Sequence, residues 1–322
     1  MSAIPQLRNL VLFACLALLT TGAGFALPAN LAHPILQDII TGHAQDALNR
    51  LATAIAENPT DAQALELRCR VQIQEQHWNR AISSCQQAVR LSPSDSNAHL
   101  WLGRAYGGRA STTNRLAALS LAVKLRNEFQ AAIRLDPHNT AAFAALGEFD
   151  VEAPPFLGGG LDRAQRLSAR LEPIAPANAH ALMAKIAESQ KNYALAETEW
   201  KKAVQLSPQP AQAWMELASF YQRRGRYDDM IKAAENGAAN DKLHSASLVY
   251  GAEILVRAQQ KLPEAELWLR EYLDSSAQSE NTPAFAVHAE LAQLLQREGK
   301  TAAAKQEIAA ARTLAPDYSP HA

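Results

Sequence analysis

Apolar residues recur at helical spacing along most of the chain. Ala81, Ile82, Cys85, Ala88 and Val89 are one example, set at the i, i+3/i+4, i+7 intervals of a helix with one buried face. Such stretches close on proline in a repeated phrase. AIAENPTDAQ ends at Pro59 and AVRLSPSDSN at Pro93, 34 residues later. The phrase returns near Pro137, Pro176, Pro208 and Pro316, and the 108 residues between the last two fit three units of about 36. Proline cannot continue a helix, so each one punctuates the turn into the next. The pattern predicts helix over nearly all of residues 35–312, in pairs, with no sheet.

Three features interrupt the periodicity. The first helix of the series, around Ile35 to Ile40, reads as short, a degenerate cap. The sixth unit has Lys242 in place of its closing proline, and the seventh, with Tyr250, Gly251, Ala265 and Leu269, is loose. Two units carry insertions. About ten extra residues lie between Tyr106 and Phe129, and about five between Gly147 and Ala164, within EFDVEAPPFLGGGLDRA.

The register residues resemble the tetratricopeptide repeat (TPR), a 34-residue helix-turn-helix with the pattern W-x2-L-G-x2-Y, A-x3-F, P. Leu102, Gly103 and Tyr106 match its first half, as do Trp214, Leu217 and Tyr221; Ala196, Trp200, Ala203 and Pro208 match its second. Ala47, Ala54 and Pro59, then Ala81, Ala88 and Pro93, repeat the second half, and Leu291, Gly299, Ala304, Ala311 and Pro316 keep the register to the end. The resemblance covers residues 31–316. It implies an all-α TPR solenoid of about eight repeats wound into a right-handed superhelix. One unit cannot bury its apolar face alone, so neighbours must stack. The APPFLGGG insertion resembles a motif of exported bacterial TPR proteins.

The chain's start reads as a targeting segment. Arg8 precedes an apolar run from Leu10 to Leu19 and a small-residue end, Gly24-Phe25-Ala26, the layout of a secretory signal peptide. The run is short for a membrane span. The expectation is a signal over residues 1–26, a solenoid over 27–316 and a disordered tail over 317–322. The mature protein would then be periplasmic or secreted, without a membrane span, at a formal charge of -2, since Arg8 leaves the whole-chain balance of -1. An uncleaved anchor is the alternative.

Export places Cys69 and Cys85 in a compartment that permits disulfides. Cys69 holds the small crossing position of one helix and Cys85 lies in the packed face of the helix facing it. Antiparallel pairing sets them opposite each other and predicts a bridge; the alternative is two buried thiols. Arg70 and Arg104 follow the small residue of successive repeats, where the family's first helix faces the groove. They predict a site for an anionic group, with Glu148 and Lys185 at the same register in the next two repeats. At the insertions, Ser111-Thr112-Thr113-Asn114 offers caps for a lengthened helix carrying Leu116, Leu119 and Leu121. Phe156 or Leu157 is expected to pack on it and form a small satellite core, or to leave an apolar edge open for a partner.

Chemistry-bearing motifs are absent. The nine histidines are dispersed without i, i+4 metal spacing, and no Cys-x-x-Cys exists. No Gly-x-Ser-x-Gly appears. Gly158-Gly159-Gly160 follows no strand and reads as a turn, and Gln222-Arg223-Arg224-Gly225-Arg226 reads as a solvated helix end. The balance of 31 basic to 32 acidic residues lacks the excess that phosphate contacts need. The sequence therefore implies a non-catalytic scaffold that binds a protein or peptide, without cofactor, metal or nucleic acid. A membrane-anchored assembly factor and an enzyme on a helical-repeat fold are the competing readings.

Overall fold

The computed structural model describes residues 27–318. The signal-like segment, with Arg8 and Cys15, lies outside the described residues, as do residues 319–322. Sixteen helices make eight antiparallel pairs among the described residues: α1 Ala29–Ile40 and α2 Ala44–Glu57; α3 Ala62–Gln74 and α4 Trp78–Leu91; α5 Ser96–Ser111 and α6 Arg115–Leu135; α7 Thr140–Glu152 and α8 Leu161–Leu171; α9 Pro176–Ser189 and α10 Tyr193–Leu206; α11 Pro210–Arg223 and α12 Tyr227–Asn240; α13 Ala246–Ala258 and α14 Leu262–Asp274; α15 Ala284–Arg297 and α16 Thr301–Leu314. The described residues contain no strand beyond one isolated bridge, Ser279 to Thr282. This is the predicted TPR architecture. The first helix departs from expectation: α1 runs 12 residues, with Pro34 inside it and Ile35 and Ile39 buried.

Local chemistry sets the boundaries. The residue two after a closing proline caps the next helix: Asp61 accepts from the Ala64 N–H at 3.0 Å, and Asn139 from that of Ala142 at 3.0 Å. Asp95 does the same after Pro93. Each satisfies a backbone donor that the helix leaves open. Helix crossings need small residues. A Cβ on Gly103 would stand 2.4 Å from the Phe129 ring, so any side chain there forces α5 and α6 apart.

The stacked pairs bury continuous apolar cores. One runs from Cys69 to Ile186, and a second from Ala184 to Ala304. The third joins the two ends of the chain. Leu27, Ile35, Ile39 and Leu51 cluster with Phe285, Ala311 and Ala315. Tyr318, assigned by sequence to a disordered tail, is half-buried and meets Phe285 edge-on at 4.7 Å. The first and last repeats thus meet across a seam, made by loop backbone and side chains rather than by a closely stacked helix pair. Gly42 is its tightest point. Its φ is +75°, and a Cβ there would lie 2.5 Å from the Ala284 nitrogen.

The first insertion lengthens α5 and α6 to 16 and 21 residues, with Asn114 capping α6 through Ala117 N–H at 3.0 Å. The second insertion forms a single 3-10 turn, Pro155–Leu157, set against α6. The expected satellite core does not form around Phe156, which is 76% exposed, and Leu116 is 81% exposed. Leu119 and Leu157 are half-buried. The turn is positioned by polar contacts instead. Gly158 lies against the Arg126 side chain, and Arg163 Nη1 donates to the Gly158 and Gly159 carbonyls at 2.5 and 2.7 Å. With the backbone anchored this way, Phe156 projects outward.

Candidate binding groove

The register residues Arg70, Arg104, Glu148 and Lys185 lie on the first helices of repeats 2 to 5, α3, α5, α7 and α9. Arg70 and Arg104 share Trp101, and Glu148 pairs with Lys185 further along. At repeats 2 and 3, Arg70 and Arg104 both stack on Trp101, 5.2 and 4.4 Å from the ring centroid. Arg70 is already occupied. Its Nε and Nη2 donate to one carboxylate oxygen of Glu280 at 2.8 and 2.5 Å, and Nη1 lies 3.6 Å from Glu66. Glu280 belongs to the loop between α14 and α15. Gln74 reinforces the closure, donating to the Glu280 carbonyl at 2.8 Å and to that of Ile39 at 3.0 Å. The anionic group expected at Arg70 is therefore supplied by the chain itself. Burial draws the Arg104 guanidinium below its ordinary value, with Glu280 opposing. Burial also pushes the Glu66 carboxyl up to about 7 despite Arg70 beside it.

The open surface lies further along. A cavity of about 800 Å³ is lined by α7, α9, α11 and α13. Its charged lining is Glu148, Glu152, Glu188 and Glu216 against Lys185 and Arg223, a formal -2. Some of these neutralise one another. Lys185 Nζ donates to Glu148, and burial alone would lower its pKa, but Glu148 and Glu216 together hold it above the ordinary value. Arg223 grips both Glu188 oxygens at 3.0 and 2.8 Å, and Trp200 Nε1 donates to Glu188 at 2.9 Å. Glu152 and Glu216 make no ion pair within 4.0 Å among the described residues, although Glu216 accepts from the Tyr250 hydroxyl at 3.5 Å and acts on Lys185 from further away. An adjoining slot of about 260 Å³ shares Glu148, Lys185 and Glu216 and is walled by Ala144, Ala181, Leu182 and Trp200. An apolar slot opening onto a lining in which carboxylates outnumber cations is chemically suited to an apolar side chain next to a cationic one.

Near the C-terminal end, Glu253, Arg257 and Glu290 line a cavity of about 180 Å³. Burial, with Glu253 adding and Arg257 opposing, pushes Glu290 up to about 8. The folded state therefore holds a proton that the unfolded carboxyl, with its ordinary value of 4.5, releases. This contribution to stability is complete below pH 4.5 and is lost as pH rises to about 8. Glu290→Gln removes that loss. Melting temperatures at pH 5 and pH 9 should fall less in the variant than in the parent; equal falls would contradict the assignment.

Sequence reasoning missed a recurring pair. His99 meets Glu128 at 2.6 Å, His180 meets Glu199 at 2.5 Å and His288 meets Glu307 at 2.7 Å, each joining the two helices of one repeat. The bond to Glu128 raises the His99 pKa against the pull of burial. Dispersed as metal ligands, these histidines serve as interhelix struts. Among the described residues, no group of three or more acidic, histidine or cysteine side chains could hold a metal ion. The predicted basic turn is only partly solvated. Arg226 pairs with Glu197 at 2.5 Å and Asp229 at 2.7 Å, and Arg224 stacks on Tyr193 at 3.6 Å.

The tetratricopeptide repeat family model matches residues 41–96 and 181–245. No curated protein sequence matches the chain. Among solved structures, yeast Tom70 is similar with a TM-score of 0.55 and 15% identity, covering 90% of this chain and 62% of that one. TTC0263, a thermophilic TPR protein of Thermus thermophilus, has a TM-score of 0.49 and 19% identity, covering 63% of this chain and 98% of its own. A tetratricopeptide repeat protein from Parabacteroides merdae has a TM-score of 0.49 and 15% identity, covering 83% and 98%. By fold the molecule is a TPR solenoid. The family model matches two stretches of it, which together make up less than half of the chain.

Proposed function

We propose that this protein is a non-catalytic adaptor of the cell envelope that holds a cationic segment of a partner protein in the groove of repeats 4 to 7. One observation carries the reading: four carboxylates against two cations line an open cavity that adjoins an apolar slot, and Glu152 and Glu216 make no ion pair within 4.0 Å among the described residues. Complementary charge of this kind sets specificity and association rate more than raw affinity. The envelope location rests on the signal-like first 26 residues. The absence of a nucleophile or metal motif, and the use of most helical positions for stacking, favour binding over catalysis.

The test is a fluorescence-anisotropy panel of short extended peptides, Lys/Arg-rich against Asp/Glu-rich, matched in hydropathy. The cationic set should bind. Glu152→Gln with Glu216→Gln should weaken it roughly tenfold, about 1.4 kcal/mol for two charges at a partly solvated site. Ala181→Phe, which fills the slot, should abolish capture while the melting temperature stays within a few degrees. Equal binding of both peptide sets would end the reading. N-terminal sequencing of exported protein checks the location, with Leu27 expected as its first residue.

A further inference from the structure

The insertion edge differs in charge from the rest of the molecule. Between Asp95 and Glu128 the chain has five cations, Arg104, Arg109, Arg115, Lys124 and Arg126, and no acid. From Ala153 to Leu171, beyond the acids Glu148, Asp150 and Glu152 at the end of α7, it adds Arg163, Arg166 and Arg170 against Asp162 alone. These two stretches carry +7 in a chain whose total is -1, so the remainder carries -8. None of the eight cations makes an ion pair within 4.0 Å among the described residues, although Asp150 lies close enough to act on Arg126, Arg163 and Arg166 and Arg104 belongs to the groove; cations elsewhere, such as Arg223, Arg226, Arg270 and Lys300, are held by carboxylates. Arg115, Lys124, Arg166 and Arg170 are exposed.

Apolar side chains stand among these charges. Leu116 is 81%, Phe156 76% and Val123 45% exposed. At 3.6 residues per turn, Arg115, Leu116, Leu119, Val123 and Arg126 fall within an arc of about 100° on α6. Leu116 and Val123 point away from the stripe of Leu125, Phe129 and Ala132 that faces the core. The 3-10 turn bearing Phe156 abuts the same helix, with Gly158 at Arg126. Both insertions therefore present protruding apolar tips among unpaired cations.

We infer that this edge is a peripheral membrane surface that docks on an anionic phospholipid bilayer, with Leu116 and Phe156 entering the headgroup boundary. Isolated apolar tips flanked by Arg and Lys suit an interface that is soft and uniformly negative. A folded protein partner would instead need a contiguous apolar patch to pack on, and here cations separate the tips. Among the described residues no helix is long and apolar enough to cross a membrane, so the contact is interfacial. It is independent of the peptide groove.

Flotation with phosphatidylcholine vesicles, and with the same vesicles carrying phosphatidylglycerol, tests this. The protein should float with the anionic vesicles only and release at high salt. Leu116→Ser with Phe156→Ser, and separately Arg115→Gln with Arg166→Gln, should each lower partitioning at least roughly tenfold. Leu116, Phe156, Arg115 and Arg166 are exposed, so circular dichroism and melting temperature should not move. Equal recovery with both vesicle types overturns the inference, as does unaltered binding by either variant pair. So does full competition by soluble polyglutamate, which would point to an acidic protein instead.

Discussion

Arg70→Ala should open the seam between the first and last repeats and lower stability by roughly 2–3 kcal/mol, between the exposed and fully buried limits for a broken ion pair. The Arg70 side chain is 16% exposed, Glu280 22% and Glu66 11%. Removing the guanidinium leaves both carboxylates without their cation and takes the support from the Trp101 face. The seam has little to replace it. Gln74 still holds the Glu280 carbonyl, but the remaining contacts are the Gly42–Ala284 approach and the apolar cluster around Phe285. Small-angle scattering should show a larger radius of gyration, with helical content preserved because no helix depends on this pair. The deficit should grow with pH. Glu66 titrates near 7, so below that value its carboxyl is neutral and Arg70 contributes less to it. A variant as compact as the parent at pH 8 would show that the apolar cluster alone closes the solenoid.

This result bears on what the sequence could reveal. The repeats were legible because each is local. A proline, a small crossing residue and an apolar stripe recur within 34 residues, and stacking follows from them. Arg70 and Arg104 were correctly placed on successive first helices by that register. The carboxylate that takes Arg70 was not legible. Glu280 is 210 residues away, in an irregular loop with no repeat position. Its arrival depends on the summed rotation of the five intervening repeats. Phe156 failed for a related reason: its direction is fixed by Arg126 and Arg163 holding the backbone of the turn, not by its hydropathy. The histidine struts were within reach. His180 and Glu199, like His288 and Glu307, are 19 residues apart, and His99 and Glu128 are 29 apart because the ten-residue insertion lies between them. Asking whether each histidine recurs with an acid at repeat register would have found them. Glu152 lies one turn beyond Glu148 on α7 and was equally accessible.

Removing the Cys69–Cys85 bond should cost about 3 kcal/mol in the chain-entropy model, for a loop of about this length. The two Cα atoms are 5.3 Å apart and the cysteines 16 residues apart, joining α3 to α4, and neither side chain is exposed to solvent. A short incubation of the native protein with reductant, removed before heating, should therefore leave the melting curve unchanged, since thiolate attack needs access. Urea unfolding with reductant present throughout should shift to lower midpoint by that amount, and so should Cys69→Ala with Cys85→Ala. Ala at both sites also loses some buried volume, so Cys69→Ser with Cys85→Ala serves as a second comparison of the same loop. The bond does more than restrain the unfolded chain. Cys69 immediately precedes Arg70, so tying α3 to α4 also fixes the direction from which Arg70 reaches Glu280. Neighbouring sites that share a structural element couple by roughly 0.5–3 kcal/mol. In a cycle combining the cysteine pair with Arg70→Ala, the losses should sum to less than additive, because once α3 is released the Arg70 contact is already weakened. Strict additivity would mean that the bond stabilises repeat 2 alone and leaves the closure of the solenoid to the residues of the seam.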